Sequence, residues 1–197
     1  MLTVLSVGKS RVSPVLLTVA PSEGEPQKYG ISEGEYLALG SPRPGDTLEG
    51  EREERLIALD EGHRARRAAA NLLAFGDNNT ASLMRKLKTR GFSHEAAEAA
   101  TAAMVGRGYI NEQAQLDRAV ALAANRKLWG ARRIADALTA KGYRRADVTA
   151  AIERAVACGE IDFAEVRLRL LEAKAGGATP MQKRAILYRY GHMAGEE

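Results

Sequence analysis

The sequence repeats itself with a period of about 50 residues. The stretch Leu87–Phe92 (LKTRGF) matches Leu138–Tyr143 (LTAKGY), and a register of 51 positions then holds without a gap through the next helix and its closing turn. A third match follows 49 positions further on, at Leu187–His192 (LYRYGH). A period of this length is typical of stacked copies of one supersecondary unit, each too small to bury its apolar face alone. The repeat therefore predicts an array of similar helical units.

Start and stop signals divide each copy into three helices. In the first copy Asn79 or Thr80 offers an N-cap, a glycine follows the basic last turn, and Ser93 offers the cap of the next helix. After a further glycine the long helix of the following copy begins at a cap, either Asn111 or Asp162. The predicted repeats cover three ranges, the last of them truncated: 63–111, 112–162 and 163–197.

Ahead of the repeats, stretches rich in β-branched residues predict short strands at 3–7, 12–20, 27–31 and 46–48. Pro14 lacks a backbone N–H, which favours an edge position for the second strand. Ser32 with Glu35 has the spacing of a capping box that opens a short helix. We therefore expect a small β-containing N-terminal domain over residues 1–50. An acidic linker helix at 51–62 then leads into a mainly α chain of tandem three-helix repeats.

Composition places the chain among intracellular globular proteins. Hydrophobic residues make up 45% of it and charged residues 27%, which is enough to form a core. Cys158 is the single cysteine, and the N-terminus lacks the pattern of a signal peptide. No stretch is apolar for long enough to span a bilayer. The sequence therefore predicts a cytoplasmic protein that is not inserted in a membrane.

Charge is distributed unevenly along the chain. Residues 1–62 carry six basic and eleven acidic side chains, a net charge of −5, so the remaining residues must carry +9 to give the total of +4. A basic body indicates an anionic partner for the repeats, although a basic helix surface can also be merely solvated.

No catalytic or metal-binding pattern is present in the sequence. His63, His94 and His192 lie far apart, and Cys158 has no neighbouring cysteine with which to hold a metal. The stretch Gly176–Pro180 lacks the Lys-Ser/Thr ending of a phosphate-binding loop, so it is expected to be a flexible connection. We predict a binding protein with no enzymatic activity, no cofactor and no metal.

Basic residues around the only tryptophan, Trp129, form the strongest candidate site. A weaker basic run occupies the equivalent helix of the preceding copy, and together the two runs suit an acidic protein groove or a nucleic acid. Alternatively, Trp129 closes the core at a helix junction and the basic side chains only solvate the outer face. The candidate partner-binding residues are Arg126, Lys127, Trp129, Arg132, Arg133, Lys141, Arg144 and Arg145, with Arg85, Lys86, Lys88 and Arg90 in the preceding copy.

Three stretches of the repeats are characteristic: Leu87–Phe92, the Gly-Tyr-Ile turn at Gly108–Asn111, and above all Gly130–Tyr143 (GARRIADALTAKGY). In these stretches the chain resembles the RecX regulators of the RecA recombinase, and the resemblance covers about residues 63–192. Two features depart from the family pattern. After the Gly-Tyr-Ile turn the family usually has acidic residues followed by Phe-Ala, whereas this chain has Asn111–Leu116 there, and only Asp162–Ala164 approaches the family pattern. The third copy also stops soon after its glycine.

This resemblance implies a small non-enzymatic protein, expected to be a monomer. Such a protein lodges in the groove of a RecA filament on DNA and limits strand exchange, ATP hydrolysis and coprotease activity. Single- or double-stranded DNA is a further candidate partner. The contact face is assigned by hypothesis to six basic residues, with Trp129 as an anchor: Arg126, Arg132, Arg133, Lys141, Arg144 and Arg145.

A different class of function remains open, namely a basic DNA-binding module of the helix-turn-helix kind. Against it, no single helix concentrates Asn, Gln, Arg and Ser on one base-reading face. DNA binding with a steep salt dependence and sequence discrimination would favour it. A hydrolase or nuclease would need an acidic metal cluster, which the sequence does not contain.

Overall fold

A computed structural model describes residues 1–192 and shows a mainly α protein with a small N-terminal antiparallel sheet. The predicted fold class is thereby confirmed. In chain order the elements are β1 (Leu2–Gly8), β2 (Val15–Pro21), β3 (Gln27–Ile31), α1 (Glu33–Ala38), β4 (Thr47–Leu48), α2 (Glu51–Ala74), α3 (Thr80–Thr89), α4 (His94–Gly106), α5 (Glu112–Asn125), α6 (Ala131–Ala140), α7 (Arg145–Ala157), α8 (Phe163–Lys174) and α9 (Pro180–Tyr190).

The four strands pair antiparallel in the order β3-β2-β1-β4. In β2, Val19 lies opposite Val4 of β1, and Val15 lies opposite Ile31 of β3. The prediction of an edge position for the second strand is therefore wrong. Pro14 lies just before β2 begins, where its missing N–H breaks no strand pairing.

Alternation along the strands produces the core of the sheet. In β2 the residues Val15, Leu17 and Val19 are buried while those between them are not, as expected for a sheet with one covered face. The buried cluster also includes Leu39, after α1, and Leu56 of α2. Helix α2 therefore covers the apolar face of the sheet.

Helix α2 runs unbroken from Glu51 to Ala74, so the segment expected as an acidic linker helix is its first half. A glycine inside a helix costs only about 1 kcal/mol, and Gly62 is accommodated because buried residues flank it on both sides. Asp60 is buried in this helix and accepts hydrogen bonds of 2.7 Å from the backbone N–H of Gly30 and from Nε of Arg64. Buried apolar and polar contacts thus tie α2 to the sheet.

The chain divides into two compact units. The first contains Met1–Asn78 and Leu83–Tyr109, so the sheet shares a unit with α2 and α4 and does not form a separate domain over residues 1–50. The second contains Asn79–Ser82 and the residues from Ile110 onward. The division falls at the end of the first predicted repeat. The precise limits of the three repeats stay a prediction.

Helix caps follow the sequence signals closely. Ser32 and Glu35 form the predicted capping box, and Ser93 accepts a hydrogen bond from the N–H of Ala96 at the start of α4. Asn111 and Asp162 cap α5 and α8 in the same way. These side chains satisfy backbone donors that a helix start leaves unpaired. The predictions of these caps are confirmed.

In the second unit, the C-terminal end of α9 meets the N-terminal end of α6 at two glycines. A Cβ on Gly130 would lie closer than 3.0 Å to the carbonyl group of Gly191, and a Cβ on Gly191 would meet the backbone of Arg133 as closely. Gly191 also has a φ of 84°, in the left-handed region that favours glycine. The N–H of Gly130 donates to the carbonyl of Tyr190 at 2.8 Å. Neither glycine has room for a side chain.

A second contact of this kind joins the end of α6 to the first turn of α3, which also belongs to the second unit. The side chain of Asn79 accepts from the N–H of Ser82 at 2.7 Å and donates to the carbonyl of Lys141 at 3.2 Å. A Cβ on Gly142 would lie 2.9 Å from Cβ of Ala81. One amide therefore caps the start of α3 and the end of α6.

The substitution Gly130→Ala is expected to loosen the α6–α9 contact, because its methyl group has no space beside the Gly191 carbonyl. Overpacking of this kind costs about 1–3 kcal/mol. Hydrogen exchange of the α9 amides should accelerate, while the amides of the sheet stay protected. The matched control is Gly176→Ala, where the added Cβ meets nothing within 4 Å. Unchanged exchange in α9 would show that the close approach is not needed for docking.

Glu35 provides a pH test of the first unit. Burial raises the pKa of this carboxyl, but hydrogen bonds from Ser32 and from Arg66, together with the charge of Arg66, outweigh burial and hold the pKa below its ordinary value. A lowered folded-state pKa stabilises the fold above the unfolded-state pKa, and this stabilisation is lost as the pH falls through the folded-state value. Glu35→Gln should therefore lower Tm at pH 7, and the difference should shrink below about pH 4.

The control for this comparison is Glu33→Gln on the same helix, because the Glu33 carboxylate is exposed and lies 3.7 Å from the exposed Lys9. We expect almost no change in Tm for this variant at any pH. A Glu35→Gln difference that is the same at pH 3 and pH 7 would contradict the assignment.

Candidate partner-binding surface

The turn between α5 and α6 positions Trp129. Helix α5 ends at Asn125, and Leu128 then takes a φ of 58°, which reverses the chain within five residues. The backbone N–H of Trp129 donates to the carbonyl of Ala123 at 3.1 Å. Its indole is half-buried and packs against the core cluster of the second unit. Trp129 therefore contributes to the core, and part of its ring remains open.

Cationic side chains cover the aromatic rings around this turn. Nζ of Lys127 lies 4.7 Å from the centroid of Trp129, and the guanidinium carbon of Arg133 lies 4.7 Å from the same ring. Arg133 also lies 5.3 Å from the ring of Tyr190. A cation at such distances is attracted to the ring face by about 0.5–2 kcal/mol. Arg133 therefore joins the first turn of α6 to both Trp129 and α9.

The arginines of the first turn of α6 bind the end of α9. The guanidinium of Arg132 donates to the carbonyl of Tyr188 at 2.8 Å and stacks 4.2 Å from its ring. Arg133 donates to the carbonyl of Arg189 at 2.7 Å. We call Arg132 and Arg133 together the arginine clamp.

Helix electrostatics explain why two arginines are placed at a helix start. Cations at the start of α6 are repelled by the positive end of the dipole of α6, so their placement there is unfavourable for that helix alone. The C-terminal end of α9, in contrast, carries partial negative charge and the last carbonyls of the helix. The clamp donates to the carbonyls of Tyr188 and Arg189, the first of which also accepts from the N–H of Gly191. It also brings positive charge to the end that favours it. The basic pair is thus engaged with α9, and both side chains remain partly exposed. That they also contact a partner stays a prediction.

The remaining predicted cations of the second unit are exposed. Arg126 and Lys141 have no acidic side chain within ion-pair distance in the part of the chain that the structure describes. Arg144 lies 2.7 Å from Asp147, and Arg145 lies 3.0 Å from Asp136, in both cases at the surface. The hydrogen bond from Arg144 to Asp147, and the charge of that carboxylate, raise the pKa of Arg144, so its guanidinium remains charged.

The second basic run lies on α3 and on Arg90, the residue that follows it, and its four side chains are exposed. Nζ of Lys86 donates to Oδ1 of Asn78 at 2.5 Å, and Nζ of Lys88 lies 3.5 Å from Nδ1 of His94. Arg85 and Arg90 have no ion-pair partner within residues 1–192. All four belong to the first unit. That they continue the surface around Trp129 stays a prediction.

Sequence reasoning missed Tyr188, Tyr190 and His192. The two tyrosines provide the rings and carbonyls that the arginine clamp contacts. His192 is only 2% exposed, and its Nε2 lies 3.1 Å from the carbonyl of Leu128. The available signal was the third copy of the repeat, whose two tyrosines have no aromatic counterparts in the second.

Two other kinds of site are absent from the described residues. Between Met1 and His192 no group of three or more His, Cys, Asp or Glu side chains is placed to hold a metal ion. No described helix has the length and hydropathy required to cross a membrane.

Known proteins resemble this chain in sequence. Regulatory protein RecX of Pseudomonas savastanoi pv. phaseolicola is 34% identical over 128 residues, which cover 65% of this chain and 79% of the relative. RecX of Pseudomonas syringae pv. tomato is 33% identical over 126 residues, or 64% and 78% of the two chains. No family model matches.

The chain belongs to the RecX family of regulatory proteins.

The fold agrees with this membership. A crystal structure of a regulatory protein RecX aligns with 96% of this chain and 91% of its own, with a TM-score of 0.69 at 15% identity. RecX from Lactobacillus salivarius aligns with 70% of this chain and 91% of its own, with a TM-score of 0.57 at 14% identity. In this RecX-family chain the Gly-x-Arg-Arg-Ile stretch, residues 130–134, contains both the glycine contact and the arginine clamp.

Removal of the Arg133 side chain from the clamp is expected to weaken the docking of α9. Arg133→Ala loses a charge-assisted hydrogen bond and two ring contacts, a cost of about 2 kcal/mol. Hydrogen exchange of the α9 amides should accelerate, since no described side chain of α9 itself is buried. The control is Arg145→Ala, whose exposed ion pair is expected to contribute below about 1 kcal/mol. Equal exchange in the two variants would refute the clamp.

Proposed function

We propose that this RecX-family chain binds in the helical groove of a RecA filament on DNA and limits strand exchange, ATP hydrolysis and coprotease activity. In this proposal it acts in the cytoplasm, as a monomer and without catalysis of its own. Membership of the RecX family supports the proposal, because the resemblance of the repeats to that family implies this partner. The exposed cations of the second unit supply the surface.

The single observation that carries the contact assignment is the division of the basic residues into two groups. Arg132 and Arg133 are engaged with α9, whereas the other five predicted cations of the second unit are exposed. We therefore assign docking of α9 to the clamp and contact with the filament to Arg126, Lys141, Arg144 and Arg145, beside Lys127 and the open part of Trp129.

The surface ion pairs of Arg144 and Arg145 do not oppose this assignment. Exposed pairs contribute little to stability, typically below about 1 kcal/mol, because water screens them and both side chains lose freedom. Either arginine can therefore exchange its aspartate for a carboxylate or phosphate of a partner at small cost. Complementary charge mainly accelerates association and selects the partner.

A repeated architecture suits a filament as the target. Related units within one chain can contact successive protomers, and linked weak contacts gain affinity by raising the effective concentration of the second contact. The exposed cations on α3 and directly after it offer a second contact of this kind: Arg85, Lys86, Lys88 and Arg90.

The test is RecA-catalysed ATP hydrolysis on single-stranded DNA, titrated with this protein at substoichiometric ratios and repeated with DNA in large excess. We expect inhibition that persists in excess DNA. The double substitution Arg144→Glu with Arg145→Glu should weaken inhibition about tenfold, because both contact charges are reversed. Thermal unfolding should stay near that of the unmodified protein.

The matched control is Arg11→Glu with Lys28→Glu, which makes the same change in net charge at two exposed positions of the first unit. If both double variants inhibit as well as the unmodified protein, the contact assignment is wrong. Inhibition that disappears in excess DNA would mean competition for DNA, and would replace the filament regulator with a DNA-binding module.

A further inference from the structure

The first unit contains an open cleft of about 570 Å³ beside the C-terminal end of α4. Arg66, Arg67 and Ala70 of α2 line one side, Met104 forms part of the base, and Arg107 and Tyr109 lie at the closing turn of the first repeat. This volume is in the range of pockets that bind small molecules, roughly 300–1,000 Å³. None of the three arginines belongs to the proposed filament-contact surface.

The charges of this cleft are only partly balanced within the protein. Arg66 is fixed by Glu35, with 2.6 Å between its Nη2 and Oε1 of the carboxylate. Arg67 and Arg107 have no acidic partner among residues 1–192. Two unpaired guanidinium groups in a concave site concentrate positive potential and favour an anion.

The repeat supplies an internal comparison for this cleft. In the second unit a cleft of about 550 Å³ occupies the equivalent place, since four of its lining residues stand 51 positions after lining residues of the first. Ala155 corresponds to Met104, and the other three positions change in charge: Asp117 for Arg66, Cys158 for Arg107 and Glu160 for Tyr109. The cleft of the second unit thus forms with Cys158 and Glu160 at the positions of Arg107 and Tyr109, so packing requires neither residue. Its lining cation, Arg154, is paired with Asp117 at 2.7 Å.

Tyr109, the aromatic residue of the cleft, indicates which class of anion the cleft would bind. The side chain of Tyr109 lines the cleft and is 63% exposed, although a large ring gains by burial. An exposed ring beside arginines suits a nucleobase that stacks while its phosphate meets the guanidinium groups. The Asp and Glu side chains of an acidic peptide would use the charges but have no aromatic ring to stack on Tyr109.

We propose that this cleft binds a nucleoside 5′-phosphate, with Arg67 and Arg107 holding the phosphate and Tyr109 stacking on the base. Arg66, held by Glu35, forms a fixed cationic wall. The ligand is either a free nucleotide or the phosphorylated end of a DNA strand, since both present the same chemical group. This site is independent of the proposed contact with the RecA filament.

Isothermal titration calorimetry of the full chain tests the proposal with four probes. They are AMP, inorganic phosphate, and a short oligothymidylate with and without a 5′-phosphate. AMP or the phosphorylated oligonucleotide should bind, and inorganic phosphate should bind more weakly. Binding by AMP identifies a free nucleotide as the source. Binding by the phosphorylated oligonucleotide alone identifies a strand end.

Three variants locate the binding. Arg67→Ala and Arg107→Ala should each weaken it about tenfold or more, as expected for loss of a charge-assisted hydrogen bond. Tyr109→Glu, which places the residue of the second repeat at this position, should reduce the affinity for AMP to at most that for inorganic phosphate. Arg55→Ala, an exposed change on the same helix as Arg67, should leave the affinity unchanged.

Four outcomes would overturn the proposal. The first is no binding of any probe up to about 5 mM, which is weaker than a useful site. The second is equal affinity for AMP and inorganic phosphate, which would remove the role of Tyr109. The third is binding that is the same in all variants. The fourth is stronger binding of polyglutamate than of AMP, which would make the cleft a site for an acidic protein segment.

Discussion

Docking of the third repeat depends on the contact between the C-terminal end of α9 and the N-terminal end of α6. A helix end leaves carbonyls unpaired, and a helix start leaves N–H groups unpaired, so two ends that meet can satisfy each other. Here the backbone N–H of Gly130 and the arginine clamp bind the last carbonyls of α9. Opposite ends of the two helix dipoles also meet. Because α9 has no buried side chain of its own in the described range, this contact substitutes for a core.

A contact between a helix end and a helix start also joins α6 to α3, with different polar groups. There the side-chain amide of Asn79 caps the start of α3 and donates to the carbonyl of Lys141 at the end of α6. The glycines, Gly142 in one contact and Gly191 in the other, occupy equivalent places in the repeat. At Gly91, the counterpart in the first copy, nothing lies within 4 Å of the position of a Cβ. The second and third copies thus share the close approach at this glycine while the polar groups of the contact differ, and the first copy shows no such approach at Gly91.

Much of the fold follows from local sequence signals. Caps such as Ser32 and Ser93 are set within four residues, and the strands follow from β-branched alternation, so both are readable without tertiary information. The length of α2 could not be predicted from the sequence, because Gly62 taken by itself is a signal for a helix end. The helix continues past Gly62 because residues on both sides of it are buried. For the candidate site, the sequence located the basic residues around Trp129 but did not show which of them contact α9 and which are exposed. Whether an arginine is free depends on Tyr188 and Tyr190, more than 50 positions away.

The sequence by itself determined the repeat, the helical character, the caps and the resemblance to RecX, because all of these reside in residue spacing along the chain. Only the tertiary structure decided that Arg132 and Arg133 serve the protein's own packing and that Arg67, Arg107 and Tyr109 line one cleft. The physical reason is that a cation has no fixed role in sequence. Its role is set by the carbonyls, rings and carboxylates that folding brings within about 3–6 Å of it.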